Sequence, residues 1–187
     1  RFCFLFCAGM NRIRINSPDG NSSIILGGSA DAIIPMLPQK GLFIITDNNV
    51  KKLYGNMFPP GEVLAIEAGE RSKTLQVVEE LCRRLLEAGA DRSSFILGIG
   101  GGVVCDIAGM VASVYMRGVR HGFISTTLLS QVDASIGGKT GVNLGEYKNI
   151  IGTFRQPEFV LCDHAMLATL PETEMKSGLG ELFKHAV

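Results

Sequence analysis

Between residues 40 and 127 the chain alternates short apolar runs with segments whose apolar positions recur at helical spacing. LFIITD (42–47), EVLAIEAG (62–69), SFILGIG (94–100) and HGFISTT (121–127) read as strands. NNVKKLYGNMF reads as a helix after the first of them. RSKTLQVVEELCRRLLEAGA (71–90) is the clearest helix, with Leu75, Val78, Leu81, Leu85 and Leu86 on one face and Gly89 ending it. GGVVCDIAGMVASVYMRG (101–118) predicts a second long helix, mostly apolar. Strands alternating with helices predict a parallel sheet covered on both faces, and such sheets bind ligands beyond the carboxyl ends of their strands.

After residue 127 the alternation breaks down. TLLSQVDASIGGKTGVNLGEYKNIIGTFRQPEFVLCD (127–163) is rich in glycine and polar side chains, and its apolar stretches are too short for long helices. Segments of that kind carry function on a scaffold built by the rest. Regularity returns in LPETEMKSGLGELFKHAV (170–187), where Pro171 followed by acids marks a helix start. No capping signal precedes Val187, so a longer polypeptide is expected. At the other end RFCFLFCAGM is apolar but short, and the polar NRIRINSPDG after it holds no cleavage pattern. Residues 1–9 are expected to be a non-native or disordered leader, with Met10 the natural start.

Composition narrows the classes. Hydrophobic residues make up 46% of the 187 and charged residues 19%, enough for a packed soluble core. Lys plus Arg and Asp plus Glu number 18 each, and no basic stripe stands out, which argues against a nucleic-acid partner. No apolar run reaches the roughly 20 residues a membrane helix needs. The five cysteines are odd in number and form no CxxC, as expected of reduced core thiols in a cytoplasmic protein.

The chemistry concentrates in three places. GIGGGVVCD (98–106) joins a strand to a helix, where glycines let backbone N–H groups approach a diphosphate. It departs from G-x-G-x-x-G because Val103 takes the last glycine position. Asp106, one turn into an apolar helix, needs a partner: a ligand hydroxyl or a neighbouring backbone amide. Asp47 suits two roles, a ribose acceptor or the N-cap of the helix after it. Glu70 and Lys73 lie three apart at a helix start and read first as a solvated ion pair, with a site pair as the other reading.

In DASIGGKTGVN (133–143), Gly-Lys-Thr resembles the tail of a phosphate-binding P-loop, but Asp133 stands where that loop needs its first glycine. No long helix follows, so a P-loop is excluded. What remains is Lys139, Lys148, Asn149, Asp133 and Arg117 around glycine-rich backbone, a set suited to a phosphate or carboxylate or simply a charged surface. In the last helix Glu181, Lys184 and His185 share a face; Glu181 and His185 are two ligands, which do not make a zinc site. His121 and His164 show no metal spacing.

Together, GGGVVCDIAGMVASVYMRG, STTLLSQVDASIGGKTGVN, KNIIGTFRQP and LATLPETEMKSGLGELFKH resemble, in order and spacing, the 3-dehydroquinate synthases of the shikimate pathway. The likeness runs from Asp47 to the end and is dense from Gly98 onward. It implies an NAD-binding, Rossmann-like α/β domain over 10–163, a mostly parallel sheet with flanking helices, followed by the beginning of an α-helical metal and substrate domain over 164–187. It implies a carbon–oxygen lyase that converts 3-deoxy-D-arabino-heptulosonate 7-phosphate to 3-dehydroquinate and phosphate. The steps are transient oxidation by NAD, phosphate elimination and aldol cyclisation, with zinc or cobalt polarising substrate hydroxyls.

By position, the resemblance assigns Asp47, Asn49, Glu70, Lys73, Gly101, Gly102, Val103, Asp106, Thr126, Thr127, Lys148 and Thr169 to the cofactor. Asp133, Lys139, Asn149 and Lys184 fall to the substrate, with Lys139 and Asn149 holding its phosphate. Arg117 would reach the phosphate of a partner subunit in a homodimer, and Glu181 would be the carboxylate metal ligand. The other zinc ligands would lie past Val187, so the chain alone is expected neither to hold zinc properly nor to turn over substrate. A polyol dehydrogenase of the same superfamily would share the glycine turn and Asp106, without a use for Lys139, Asn149 and Arg117. A nucleotide-binding module is the non-enzymatic alternative.

Overall fold

The structure, a computed structural model, describes residues 10–17 and 20–187. The expected leader over 1–9 lies outside the described residues. Strands β1 (Asn11–Ser17), β2 (Gly20–Leu26), β3 (Leu42–Asp47), β4 (Glu62–Ile66), β5 (Phe95–Gly100), β6 (Arg120–Ser125) and β9 (Phe159–Cys162) form one sheet in the order β1-β2-β9-β6-β5-β3-β4. β1 pairs antiparallel with β2, and every other pairing in this sheet is parallel. A separate hairpin joins β7 (Lys139–Leu144) to β8 (Tyr147–Phe154).

Among the described residues four α-helices accompany the strands: α1 (Asn48–Tyr54), α2 (Leu75–Glu87), α3 (Gly102–Val114) and α4 (Glu172–Ala186). Successive residues of β3 face opposite sides of the sheet, as the strand period of two demands. Phe43 and Ile45 join a core with Val78, Leu81, Leu85, Ile107 and Val111 of α2 and α3. Leu42 and Ile44 join a second core with Val50 of α1, Ile33 and Met166. This is the Rossmann-like, mostly parallel α/β layout expected. The chain runs from β3 out to β4 and returns across β3 to β5, so the switch point lies between β3 and β5.

Several sequence expectations are corrected. On α2 only Val78, Leu81 and Leu85 of the expected face are buried; Leu75 and Leu86 are 42% and 62% exposed. Leu75 sits in the first turn, and Leu86 is rotated one residue off the buried stripe, near 100°. The helix also begins later than expected. Residues 70–72 form a separate tight turn, and Thr74 caps α2 by accepting from the Val77 N–H at 3.3 Å. α3 ends at Val114, because Met116, Arg117 and Gly118 take positive φ of 48°, 69° and 120°.

The irregular stretch after 127 holds a one-turn π-helix (Ser130–Ala134), the β7–β8 hairpin and β9, none of them expected. α4 starts after Pro171 as expected. It packs through Gly178, where a Cβ would come within 2.6 Å of the Leu128 Cβ. That contact sets α4 against the π-helical turn and brings its far half towards Asp133.

Candidate functional site

The carboxyl ends of β3, β5 and β6 open onto the switch point. α3 begins at Gly102 with Gly101 as its cap, and among the described residues no side chain bonds the first-turn amides, which leaves them available to an anion. Only backbone fits there: a Cβ on Gly101 would lie 2.9 Å from Thr127 Cγ2. Thr126 donates its N–H to the Gly100 carbonyl at 3.0 Å, and Thr127 Oγ1 bonds Ser130 Oγ at 3.0 Å, which fixes both threonines beside the turn. Val103 is half-buried on the same helix start and packs against the core.

Asp47 ends β3 and fills one of its two expected roles. Its Oδ1 accepts from the Asn49 and Val50 N–H groups, each at 2.9 Å, as the N-cap of α1. Asn49 is exposed in that first turn. Thr169 stands across α1, its Oγ1 2.5 Å from the Tyr54 hydroxyl.

The expected Glu70–Lys73 ion pair does not form. Because 70–72 turns tightly before α2, Lys73 is directed inward and its side chain is 6% exposed. Its Nζ makes an ion pair with Asp106, whose side chain is 18% exposed, and donates to Asn149 Oδ1 at 2.6 Å. Asp106 thus finds a distant lysine rather than a neighbouring amide. Burial raises the Asp106 pKa, Lys73 pulls it down through its hydrogen bond and charge, and the Glu70 and Asp133 carboxylates push it up; the net direction is upward. Glu70 is exposed and accepts instead from Asn143 Nδ2 at 2.8 Å.

Asn149 takes φ of 57°, and its N–H donates to Asn143 Oδ1 at 2.9 Å. With its Oδ1 already accepting from a lysine, the Asn149 amide still has its Nδ2 hydrogens to donate, and those suit an anion. Asp106, Asp133, Lys139, Asn149, Thr140 and Thr153 are among the residues lining a cavity of about 390 Å³ between α3 and the hairpin. Lys139 opens β7, so Gly-Lys-Thr leads into a strand and not a P-loop helix. Lys148 is exposed on β8 next to Asn149, and Arg117 is exposed on the left-handed turn after α3; neither lines the cavity.

α4 adds a polar cluster. Ligand atoms of Asp133, Glu181 and His185 all lie within 4.8 Å of one another. Glu181 Oε1 accepts from Lys184 Nζ at 2.7 Å and lies 3.2 Å from His185 Nε2. The Lys184 bond, with the charges of Lys184 and His185, lowers the Glu181 pKa, and the Lys184 pKa rises in answer, chiefly through Glu181 and further through Asp133. Two carboxylates and an imidazole can ligate a divalent cation. The sequence reading left Glu181 and His185 as a pair, because Asp133 reaches them only through the π-helical turn. It also passed over Asn143, whose sole signal was its place in GGKTGVN.

The family profile described as 3-dehydroquinate synthase N-terminal matches residues 63–177. A 3-dehydroquinate synthase of Alkaliphilus metalliredigens is 41% identical over 189 residues, 95% of this chain and 52% of that protein. One of Thermococcus kodakarensis is 55% identical over 124 residues, 66% of this chain and 36% of that protein. Among solved structures, a 2-deoxy-scyllo-inosose synthase complexed with carbaglucose-6-phosphate, NAD+ and Co2+ superposes with a TM-score of 0.82. It is 28% identical, covering 93% of this chain and 51% of its own. The 2-epi-5-epi-valiolone synthase of Streptomyces hygroscopicus subsp. jinggangensis, with NAD+ and Zn2+ bound, gives a TM-score of 0.77 at 32% identity, covering 84% and 47%. The chain spans about half the length of the curated relatives it matches. With its glycine turn, its Lys73–Asp106–Asn149 network and its Lys139 cavity in one continuous matching stretch, the chain belongs to the 3-dehydroquinate synthase family.

Proposed function

We propose that this chain is the cofactor-binding part of a cytoplasmic 3-dehydroquinate synthase, a lyase that releases phosphate from 3-deoxy-D-arabino-heptulosonate 7-phosphate. In this reading residues 10–163 bind NAD and 164–187 begin the part that holds metal and substrate. The observation that carries it is the cavity that Lys139, Asn149, Asp106 and Asp133 line beside an uncapped helix start. The residues fit both missing groups: the open amides of Gly102 and Val103 suit a diphosphate, and the Asp133–Glu181–His185 cluster suits a divalent cation. When bound, NAD supplies reversible hydride transfer and the metal supplies Lewis acidity.

The chain's own residues do the rest. Lys139 and the Nδ2 of Asn149 hold the substrate phosphate and favour its departure as a dianion. Lys73 pairs with Asp106 and orients Asn149, tying the cofactor edge to the phosphate edge. Asp106, Asn49, Thr126, Thr127, Lys148 and Thr169 frame the dinucleotide, and Asp133 and Lys184 approach the substrate hydroxyls. Glu181 serves as the carboxylate ligand of a zinc or cobalt ion. Arg117, held out on its left-handed turn, serves the second site of a homodimer.

Phosphate release with NAD and zinc tests the reading. The full-length polypeptide is expected to turn over with no net NADH, and residues 1–187 alone to show no turnover. Accumulating NADH without phosphate would instead identify a dehydrogenase. Full turnover by the chain alone would refute its role as a part.

A further inference from the structure

Asn143 carries no assigned role, yet its bonds link both edges of the proposed site. A strand irregularity between Val142 and Leu144 takes Asn143 out of register with β8. Its main-chain N–H turns instead to the Lys73 carbonyl at 2.9 Å, making an isolated parallel bridge of Thr74 with Asn143. Its side chain then does two jobs at once. Oδ1 accepts from the Asn149 N–H at 2.9 Å, and Nδ2 donates to Glu70 Oε1 at 2.8 Å. These partners fix the orientation of the amide, since a peptide N–H can only donate and a carboxylate can only accept.

The bonds close a ring. Asn143 holds Lys73 by the main chain, Lys73 Nζ holds Asn149 Oδ1, and the Asn149 N–H returns to Asn143. Asn149 takes a left-handed φ of 57°, a conformation that costs a residue with a Cβ free energy unless its surroundings hold it. The Asn143 side-chain carbonyl provides that hold through the Asn149 N–H, at a residue that lines the cavity.

We propose that Asn143 is a positioning residue that couples the dinucleotide edge (Glu70, Lys73) to the anion edge (Asn149). The proposal rests on the synthase reading above. Only an amide does both jobs. Asn143→Asp keeps the acceptor for the Asn149 N–H but sets a second carboxylate against Glu70, whereas Asn143→Ala removes both bonds.

The test is steady-state kinetics and NAD titration on the full-length polypeptide. Asn143→Ala is expected to raise the KM for the phosphate substrate about tenfold, the worth of two ordinary hydrogen bonds, with kcat changed less than about threefold. It should also raise the NAD Kd about fivefold. Asn143→Asp is expected to restore KM to within about threefold while leaving the NAD Kd raised. That split is one a merely structural role would not produce. KM and Kd both within about twofold of the parent in Asn143→Ala would overturn the proposal. So would equal loss in both parameters for Asn143→Asp. Should Asn143→Ala fail to fold, Asn143→Asp decides by the same split. A parent polypeptide that releases no phosphate defeats the synthase reading instead. The Kd values of NAD and of inorganic phosphate, read by calorimetry on the same variants, then test Asn143 by the same split.

Discussion

Two buried polar centres sit at opposite ends of the β5–α3–β6 unit, and the fold treats them in opposite ways. At the carboxyl end Lys73 and Asp106 form a close ion pair, shared with Asn149 on the wall of a cavity. At the amino end of β6 stands His121, 1% exposed, edge-on to Phe123 with its Nε2 unpartnered among the described residues. Burial, with the nearby Arg155 charge, depresses the His121 pKa to about 3, so the imidazole is neutral. One end sets two ionisable groups against each other as a pair; the other removes its charge by staying deprotonated. Paired charge is retained where a ligand would meet it.

The sharpest way to break that contrast is to remove one partner of the pair. Lys73→Met leaves Asp106 largely buried beside the Asp133 and Glu70 carboxylates, and it unties Asn149. Urea unfolding is expected to show a loss of about 3 kcal/mol. Lys73→Met combined with Asp106→Leu should regain much of that stability while leaving NAD binding abolished. If the double variant binds NAD as the parent does, the pair is scaffold alone.

The second test uses pH on the other centre. The unfolded chain protonates His121 near pH 6.5, whereas the folded one resists until about 3. The depressed pKa leaves stability intact above about pH 6.5 and erodes it as pH falls towards 3, by about 1.4 kcal/mol per unit. At pH 4.5 the loss is about 2.7 kcal/mol. His121→Leu is expected to be offset at neutral pH by repacking but to lack this slope between about pH 6 and 4.5, read as ΔG of unfolding against pH. An unchanged slope would mean that His121 is protonated in the folded protein.

These centres also mark what was legible in the sequence. β3, β5, β6, α2 and α3 announced themselves because each buries a long run or stripe: Phe95, Ile96, Leu97 and Ile99 of β5 are all within 1% of full burial. α4 was legible instead from Pro171 and the acids that follow it. β1 was passed over because Arg12 and Arg14 alternate with Ile13 and Ile15 on an exposed edge strand. β9 was missed because four residues give too short a pattern. The hairpin was missed because β8 is largely exposed, the buried run of β7 is short, and its glycines resemble a loop. Within the site, the glycine turn and Asp106 were legible from their own surroundings. The Lys73–Asp106 pair was not, because local spacing offered Glu70 as the partner and only the tight turn at 70–72 carries the lysine inward. Asn143 gave no signal beyond its place in GGKTGVN, since its bonds depend on a strand irregularity.

The smallest effect in stability separates two roles at the edge of the charged centre. Asp47 caps α1 through Oδ1, and the same carboxylate stands at the switch point between β3 and β5. Asp47→Ala is expected to lose both roles: about 1 kcal/mol of stability for the cap, and NAD affinity if a ribose hydroxyl bonds the carboxylate. Asp47→Ser keeps a capping oxygen, so its stability should stay within a few tenths, about 0.3 kcal/mol, of the parent. It carries no negative charge, however, and lacks the second oxygen a diol would use. The expected outcome is therefore a Ser variant as stable as the parent whose NAD Kd is raised about tenfold, the worth of a hydrogen bond to a charged acceptor. An unchanged Kd in Asp47→Ser would leave Asp47 as a cap alone and confine the cofactor's polar contacts to the glycine turn and the Lys73–Asp106 side of the cleft.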